Sequence, residues 1–103
     1  MEKVVKDGKV AVLISPGYGA GWYTWNTNYP ELLFHPKIVE LVEQQRNNEI
    51  TEEWVEENLK ISIYTGGACD LEIVWLPVGT NFRINEYYGN ESLLIDNDLI
   101  LTA

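Results

Sequence analysis

The sequence predicts an α+β domain: a small, mostly antiparallel sheet with two helices packed on one face. Three observations carry this expectation. Val10 to Ile14 is continuously apolar and is punctuated by Gly8 before it and Pro16 after it. Between residues 31 and 59, apolar residues recur at helical spacing in two segments. From Ile61 onward the period shifts to two, and turn residues interrupt it at short intervals. A strand, then helices, then hairpin-linked strands is the element order of an α+β fold. At 103 residues the chain has room for one domain, spanning residues 1–103, with one modest core.

Lys9 to Ser15 reads as the first strand, and its unbroken apolar run suits a strand covered on both faces and central in its sheet. Glu31 to Asn47 holds the first helix, with Pro36 well suited to a first helical position. Ile38, Val39, Leu41 and Val42 form its inner stripe, and Lys37, Glu40, Glu43 and Arg46 its wet face. Thr51 is a good N-cap for a second, shorter helix, with Glu52 and Glu53 favourable at its positive end. Ile50, Trp54 or Val55, and Leu59 make its buried stripe. Ile61, Ile63 and Tyr64 then lead into a glycine loop, Thr65 to Ala68. On the next strand Leu71, Ile73 and Trp75 share one face, with Glu72, Val74 and Leu76 on the other. Pro77 to Thr80 turns into Asn81–Tyr88, where Phe82, Ile84 and Glu86 oppose Arg83, Asn85 and Tyr87. Gly89-Asn90 signals a two-residue hairpin loop leading to Glu91–Ile95. A last turn at Asp96–Asp98 precedes a short run, Leu99 to Leu101.

Ser15 to Asn26 reads S-P-G-Y-G-A-G-W-Y-T-W-N, three alternating glycines followed by large aromatics. Glycine lets another chain approach the backbone, and aromatic rings supply contact area with a polar handle. Tyr18, Gly19, Trp22, Tyr23, Trp25 and Asn26 are therefore candidate binding residues. The competing reading is that the glycines fold the loop tightly while the tryptophans fill the core. Four large rings within eight residues crowd one small core, so at least one ring is expected at the surface. Neither known phosphate-binding signature fits: position 22 is Trp where a dinucleotide fingerprint opens its helix, and no lysine follows the glycines as in a P-loop. A cradle of N–H groups from both glycine loops, with a base stacked on Trp22 or Trp25, is the small-ligand alternative.

Sixteen acidic against seven basic residues give a net charge of −9. That disfavours direct nucleic-acid binding, which relies on Lys and Arg, and favours a partner with basic surface. From Glu40 to Glu57 there are seven glutamates and one basic residue, Arg46. Glu53, Glu56 and Glu57 are candidate binding residues in this stripe, which could imitate nucleic-acid phosphates. The plainer reading is a solvated helix face. Cys69 is the only cysteine and His35 the only histidine, so no internal disulfide, structural zinc or other cofactor is expected. Cys69 is expected to serve packing, and Asp70, Glu72 and Glu86 to be solvated edge charges rather than a cation site. The amino terminus lacks the apolar core of a signal peptide, and no run is long enough to span a bilayer. A cytoplasmic protein without membrane contact is expected, and homo-oligomer formation is left open.

The motifs V-A-V-L-I-S-P-G-Y-G-A-G-W-Y-T-W-N, L-L-F-H-P-K-I-V-E-L-V-E, T-G-G-A-C-D-L-E-I-V-W and F-R-I-N-E-Y-Y-G-N-E-S together resemble a family of short acidic proteins carried by bacteriophages and their hosts. The resemblance spans nearly the whole chain and brings no catalytic residue with it. What it implies is a non-enzymatic phage accessory protein, in the cytoplasm of the bacterial host, that binds and modulates a host macromolecule. A nucleic-acid-handling or defence protein is the kind of partner it suggests. A nucleotide-like ligand receptor is the second expectation, and an enzyme the third.

Overall fold

The computed structural model describes residues 1–95 and 101–103. Its organising element is the strand Lys9–Ile14, which is buried throughout except at Lys9. This strand, β2, follows a short β1 (Val5–Lys6) and pairs on its other side with β3 (Glu72–Pro77), all antiparallel, in the order β1-β2-β3. It is the central strand of this sheet, as its apolar run requires. β4 (Asn81–Tyr87), β5 (Asn90–Ile95) and β6 (Leu101–Thr102) form a second antiparallel sheet in the order β5-β4-β6. Among the described residues there are two α-helices, α1 (Pro36–Glu43) and α2 (Glu52–Leu59).

The α+β class is as expected, but the strands divide over two three-stranded sheets rather than one. The two faces of β2 explain why. Ala11 and Leu13 enter a core with Ile38, Val39, Leu41, Val55 and Trp22, so both helices cover the same side of the first sheet. Val10 and Val12 enter a second core with Leu33, Phe34, Leu76 and Phe82, against the second sheet. The result is three layers, helices on sheet on sheet. Strand β3 follows the same alternation, with Ile73 and Trp75 against the helices and Val74 and Leu76 against the other core.

Local chemistry sets the boundaries. Pro36 opens α1 as expected, but Pro30–Leu33 is a separate 3-10 turn, so the helix does not reach back to Glu31. The His35 Nδ1 accepts from the Lys37 N–H at 3.2 Å and caps the new start. The helix stops at Glu43, well short of Asn47. Arg46 N–H donates to Leu41 O and Gln45 N–H to Val42 O, with Gln45 at φ +57°, the crossed closure of a Schellman end. Thr51 caps α2 as expected, its Oγ1 accepting from Trp54 N–H at 3.1 Å.

Three further expectations shift. Among the described residues, the period-two segment Ile61–Tyr64 pairs with no strand, and its backbone is tied by Asn26 instead. The hairpin between β4 and β5 exists, but its two loop residues are Tyr88-Gly89, one position earlier than expected, with Asn90 paired to Tyr87. Tyr88 (φ +50°) and Gly89 (φ +83°) supply the two positive φ angles of a primed turn. β1 adds a strand to the expected elements, and the Asp7-Gly8 turn that joins it to β2, at φ +52° and +74°, is of the same kind. The expected turn at Asp96–Asp98 lies outside the described residues.

Candidate binding surface around the glycine loop

Ser15 to Asn26 leaves the end of β2 and is fixed from beneath by one carboxylate. Glu91 on β5 is 1% exposed. Its Oε1 accepts from Ser15 N–H at 2.8 Å. Its Oε2 accepts from Trp22 N–H at 2.9 Å, Thr24 N–H at 2.9 Å and Thr24 Oγ1 at 2.6 Å. The Glu91 N–H closes the link by donating to Ser15 O at 2.8 Å. A buried carboxylate is tolerated when its lone pairs are satisfied by donors, and here four donors do so without a cation. Nothing in the residue order marks Glu91. Its only signal is an acid on the inward-facing register of β5, alongside Leu93.

Glycines set the second layer of constraint. Gly89 must hold φ +83°, and a Cβ there would fall on the Ala20 backbone. A Cβ at Gly67 would lie 2.8 Å from Gly21 O and 2.9 Å from Ala20 O. The two glycine loops and the hairpin tip are therefore in direct backbone contact. Gly19 N–H donates to Tyr88 O at 2.8 Å and Ser15 Oγ to Gly67 O at 3.0 Å, completing the junction.

The aromatic residues separate into two groups. Trp22 is fully buried, its Nε1–H donating to Leu32 O at 2.8 Å, so it is core rather than surface. Tyr23 is half-buried and packs against both cores. Tyr18 is 70% exposed and Trp25 44%, which meets the expectation of at least one ring in water. Trp25 stacks on the exposed Tyr64 ring with centroids 5.6 Å apart. Asn26 holds that pair in place, its amide bonding Trp22 O, Tyr64 O and Tyr64 N–H at 2.9–3.0 Å. Tyr87 and Tyr88, also exposed, pack edge to face at 4.6 Å beside Gly19. Five exposed rings thus attach to one buried frame, and three of them (Tyr64, Tyr87 and Tyr88) lie outside the stretch that the sequence marks.

Part of the ligand cradle expected between the glycine loops is already engaged, while Trp25 is exposed and Pro16, Gly17, Cys69 and Asp70 line a depression of about 390 Å³. Three backbone N–H groups of the loop already bind Glu91, the loops touch, and Trp22 has no free face. The protein fills its own anion site.

The other candidates lie apart from one another. Glu53, Glu56 and Glu57 are exposed on α2 and line one open depression with Lys60, which closes the helix at φ +61°. Glu49 pairs with Arg46, whose guanidinium holds its carboxyl below the usual range. Cys69 is exposed, contrary to the packing role expected of it, because it sits in a surface 3-10 turn, Ala68–Asp70. His35 lines a different depression from Cys69, and its Nδ1 is engaged as a helix cap. Burial, then Lys37, lower its pKa. Glu86 accepts from Gly89 N–H on the second sheet, whereas Glu72 begins β3 on the first. Among the described residues, no helix is long and apolar enough to cross a membrane.

Comparison with protein-family models, curated proteins and solved structures finds no match.

Proposed function

We propose that this chain is a non-enzymatic binding protein that docks a macromolecular partner through the aromatic surface around its glycine loop. The observation that carries the reading is the set of five exposed rings, Tyr18, Trp25, Tyr64, Tyr87 and Tyr88, on a frame held by the buried Glu91. Exposed aromatics cost solubility and add little to stability, whereas at interfaces rigid rings supply contact area with small entropy loss. The loop N–H groups of Ser15, Trp22 and Thr24, already taken by Glu91, favour a partner over a small ligand. The net charge of −9 and the exposed Glu53, Glu56 and Glu57 suit a partner with basic surface. On the resemblance to phage-borne acidic proteins, that partner is a host protein that handles nucleic acid or serves defence, and the place of action is the bacterial cytoplasm.

The test is affinity capture from bacterial host lysate with the wild-type chain and a Tyr18→Ser/Tyr88→Ser variant side by side. A specific prey held by the wild type and lost by the variant, with thermal midpoints matched, supports the reading. Prey recovered equally by both overturns the aromatic surface as the contact.

A further inference from the structure

The free edge of the first sheet carries a second recognition feature. Ala11 N–H donates to Val4 O on the β1 side, so the polar groups of Lys9, Ala11 and Leu13 point toward β1. Those of Val10, Val12 and Ile14 then point toward β3, where the register sets them opposite Leu76, Val74 and Glu72. Ile73, Trp75 and Pro77 therefore face outward. Pro77 fits this phase, since its missing N–H lies on the side without a neighbouring strand. Among the described residues, the N–H and C=O of Ile73 and Trp75 have no partner. At one end of this row, Asn47 Nδ2 donates to Leu71 O at 3.0 Å and closes the edge.

Beside this row runs an open depression of about 650 Å³, lined by Val42, Leu71 and Ile73 together with Glu72 and Cys69. Of its lining residues Glu72 is the charged one, and Asp70 lies beside Glu72 in the adjoining depression with Pro16 and Gly17. Asp70 and Glu72 are exposed and make no ion pair among the described residues, whereas the nearby cations Lys6 and Arg46 are held by Glu43 and Glu49. Lys6 Nζ also lies 5.5 Å from the centre of the Trp75 ring, so a cation already occupies one face of this residue.

We propose that the β3 edge receives an extended basic peptide segment of a partner protein as a fourth strand of the first sheet. The incoming strand takes four main-chain hydrogen bonds from Ile73 and Trp75. Its residues opposite these two lie on the helix side, over Val42 and Leu71, and are apolar. The alternating residues lie on the Glu72 side and are Lys or Arg, complementary to Glu72 and Asp70. The inference stands whether or not the aromatic surface binds a partner.

The probe is acetyl-Lys-Val-Lys-Val-Lys-amide added to the intact ¹⁵N-labelled chain. Binding should move the amide resonances of Ile73 and Trp75, slow their hydrogen exchange, and slow modification of the single thiol, Cys69, by a disulfide reagent. The same peptide with both valines N-methylated keeps its charge and loses two donors. It should bind at least about tenfold more weakly, the scale of two lost main-chain hydrogen bonds. Three results overturn the proposal: no response at Ile73 and Trp75 at millimolar peptide, equal binding of the N-methylated peptide, or equal binding of a Glu-Val-Glu-Val-Glu analogue. An Ile73→Pro chain removes an outward donor without breaking the β2–β3 ladder. The peptide controls decide the matter even if that variant folds poorly.

Discussion

The glycine loop and helix α2 both present site-like residues, and they are held in opposite ways. The loop is fixed by Glu91, by the buried Trp22 and by backbone contacts that only glycine permits at 67 and 89. Helix α2 fully buries only Val55 and leaves four glutamates in water. Changes under the loop therefore act on the fold and reach the surface rings through it. Changes on the outer face of α2 act on the electric field alone. The contrast orders the substitutions by their cost to stability, and each one probes it.

The largest loss is expected from Glu91→Ala. It strands the N–H groups of Ser15, Trp22 and Thr24 in a dry site, where an unsatisfied donor costs ~1–3 kcal/mol. Urea unfolding should show at least ~3 kcal/mol of destabilisation on that basis. Glu91→Gln keeps one carbonyl acceptor but sets an amide N–H₂ against donors, so its cost should fall between wild type and Ala. A Glu91→Ala chain as stable as wild type would mean that the loop is not anchored from beneath. Trp22→Ala follows, with ~3–5 kcal/mol expected for a fully buried ring.

The sequence reveals these regions unevenly, for physical reasons. Continuous burial of β2 is visible because both of its faces are apolar, and Thr51 and Pro36 are visible because caps act through adjacent residues. The division into two sheets is not, because nothing local to β4 says that Phe82 packs over Val10 and Val12 rather than beside β3. The hairpin slips by one position because Tyr88 accepts a positive φ that its residue type disfavours, leaving Asn90 free to enter the strand. Crowding alone makes legible that at least one of Tyr18, Trp22, Tyr23 and Trp25 reaches water, but not that the exposed ones are Tyr18 and Trp25 and that Trp22 is core. Glu91 is not legible, since its four donors come from residues 67 to 76 positions earlier in the chain.

Replacing the exposed rings should separate stability from recognition. Tyr18→Ala and Tyr88→Ala are each expected to change unfolding free energy by no more than ~0.5 kcal/mol, the usual range for surface positions. Acrylamide quenching of chains that retain one tryptophan should find Trp25 accessible and Trp22 shielded. A shielded Trp25 together with a strongly destabilising Tyr18→Ala would return the whole stretch to the core. A smaller, pH-dependent effect is expected at His35. Burial lowers its pKa in the folded chain, so the unfolded chain binds the proton more readily as pH falls below the ordinary value of 6.5. Its contribution is complete above that pH and is lost below it. His35→Asn keeps a helix-capping side chain and should flatten the decline of the thermal midpoint between about pH 7 and pH 5. An unchanged slope would show that His35 does not contribute.

The smallest effect on stability belongs to the triple change Glu53→Lys, Glu56→Lys and Glu57→Lys. Glu53 sits in the first turn of α2, where a negative charge is favourable, so its reversal costs a few tenths of a kcal/mol, ~0.3–1 at most. Glu56 and Glu57 lie toward the carboxyl end, where the helix dipole disfavours them, and their reversal works in the opposite sense. The two contributions offset, and the thermal midpoint should barely move. Binding should respond differently. Charges in water are screened over ~8 Å at physiological ionic strength, so wild-type affinity for a basic partner should fall as salt rises. In the triple variant both the affinity and its salt dependence should drop. Titrating the captured partner at two salt concentrations reads both quantities. Salt-independent binding that tolerates the triple change would leave the aromatic surface as the contact and reduce the acidic face of α2 to a solvated one.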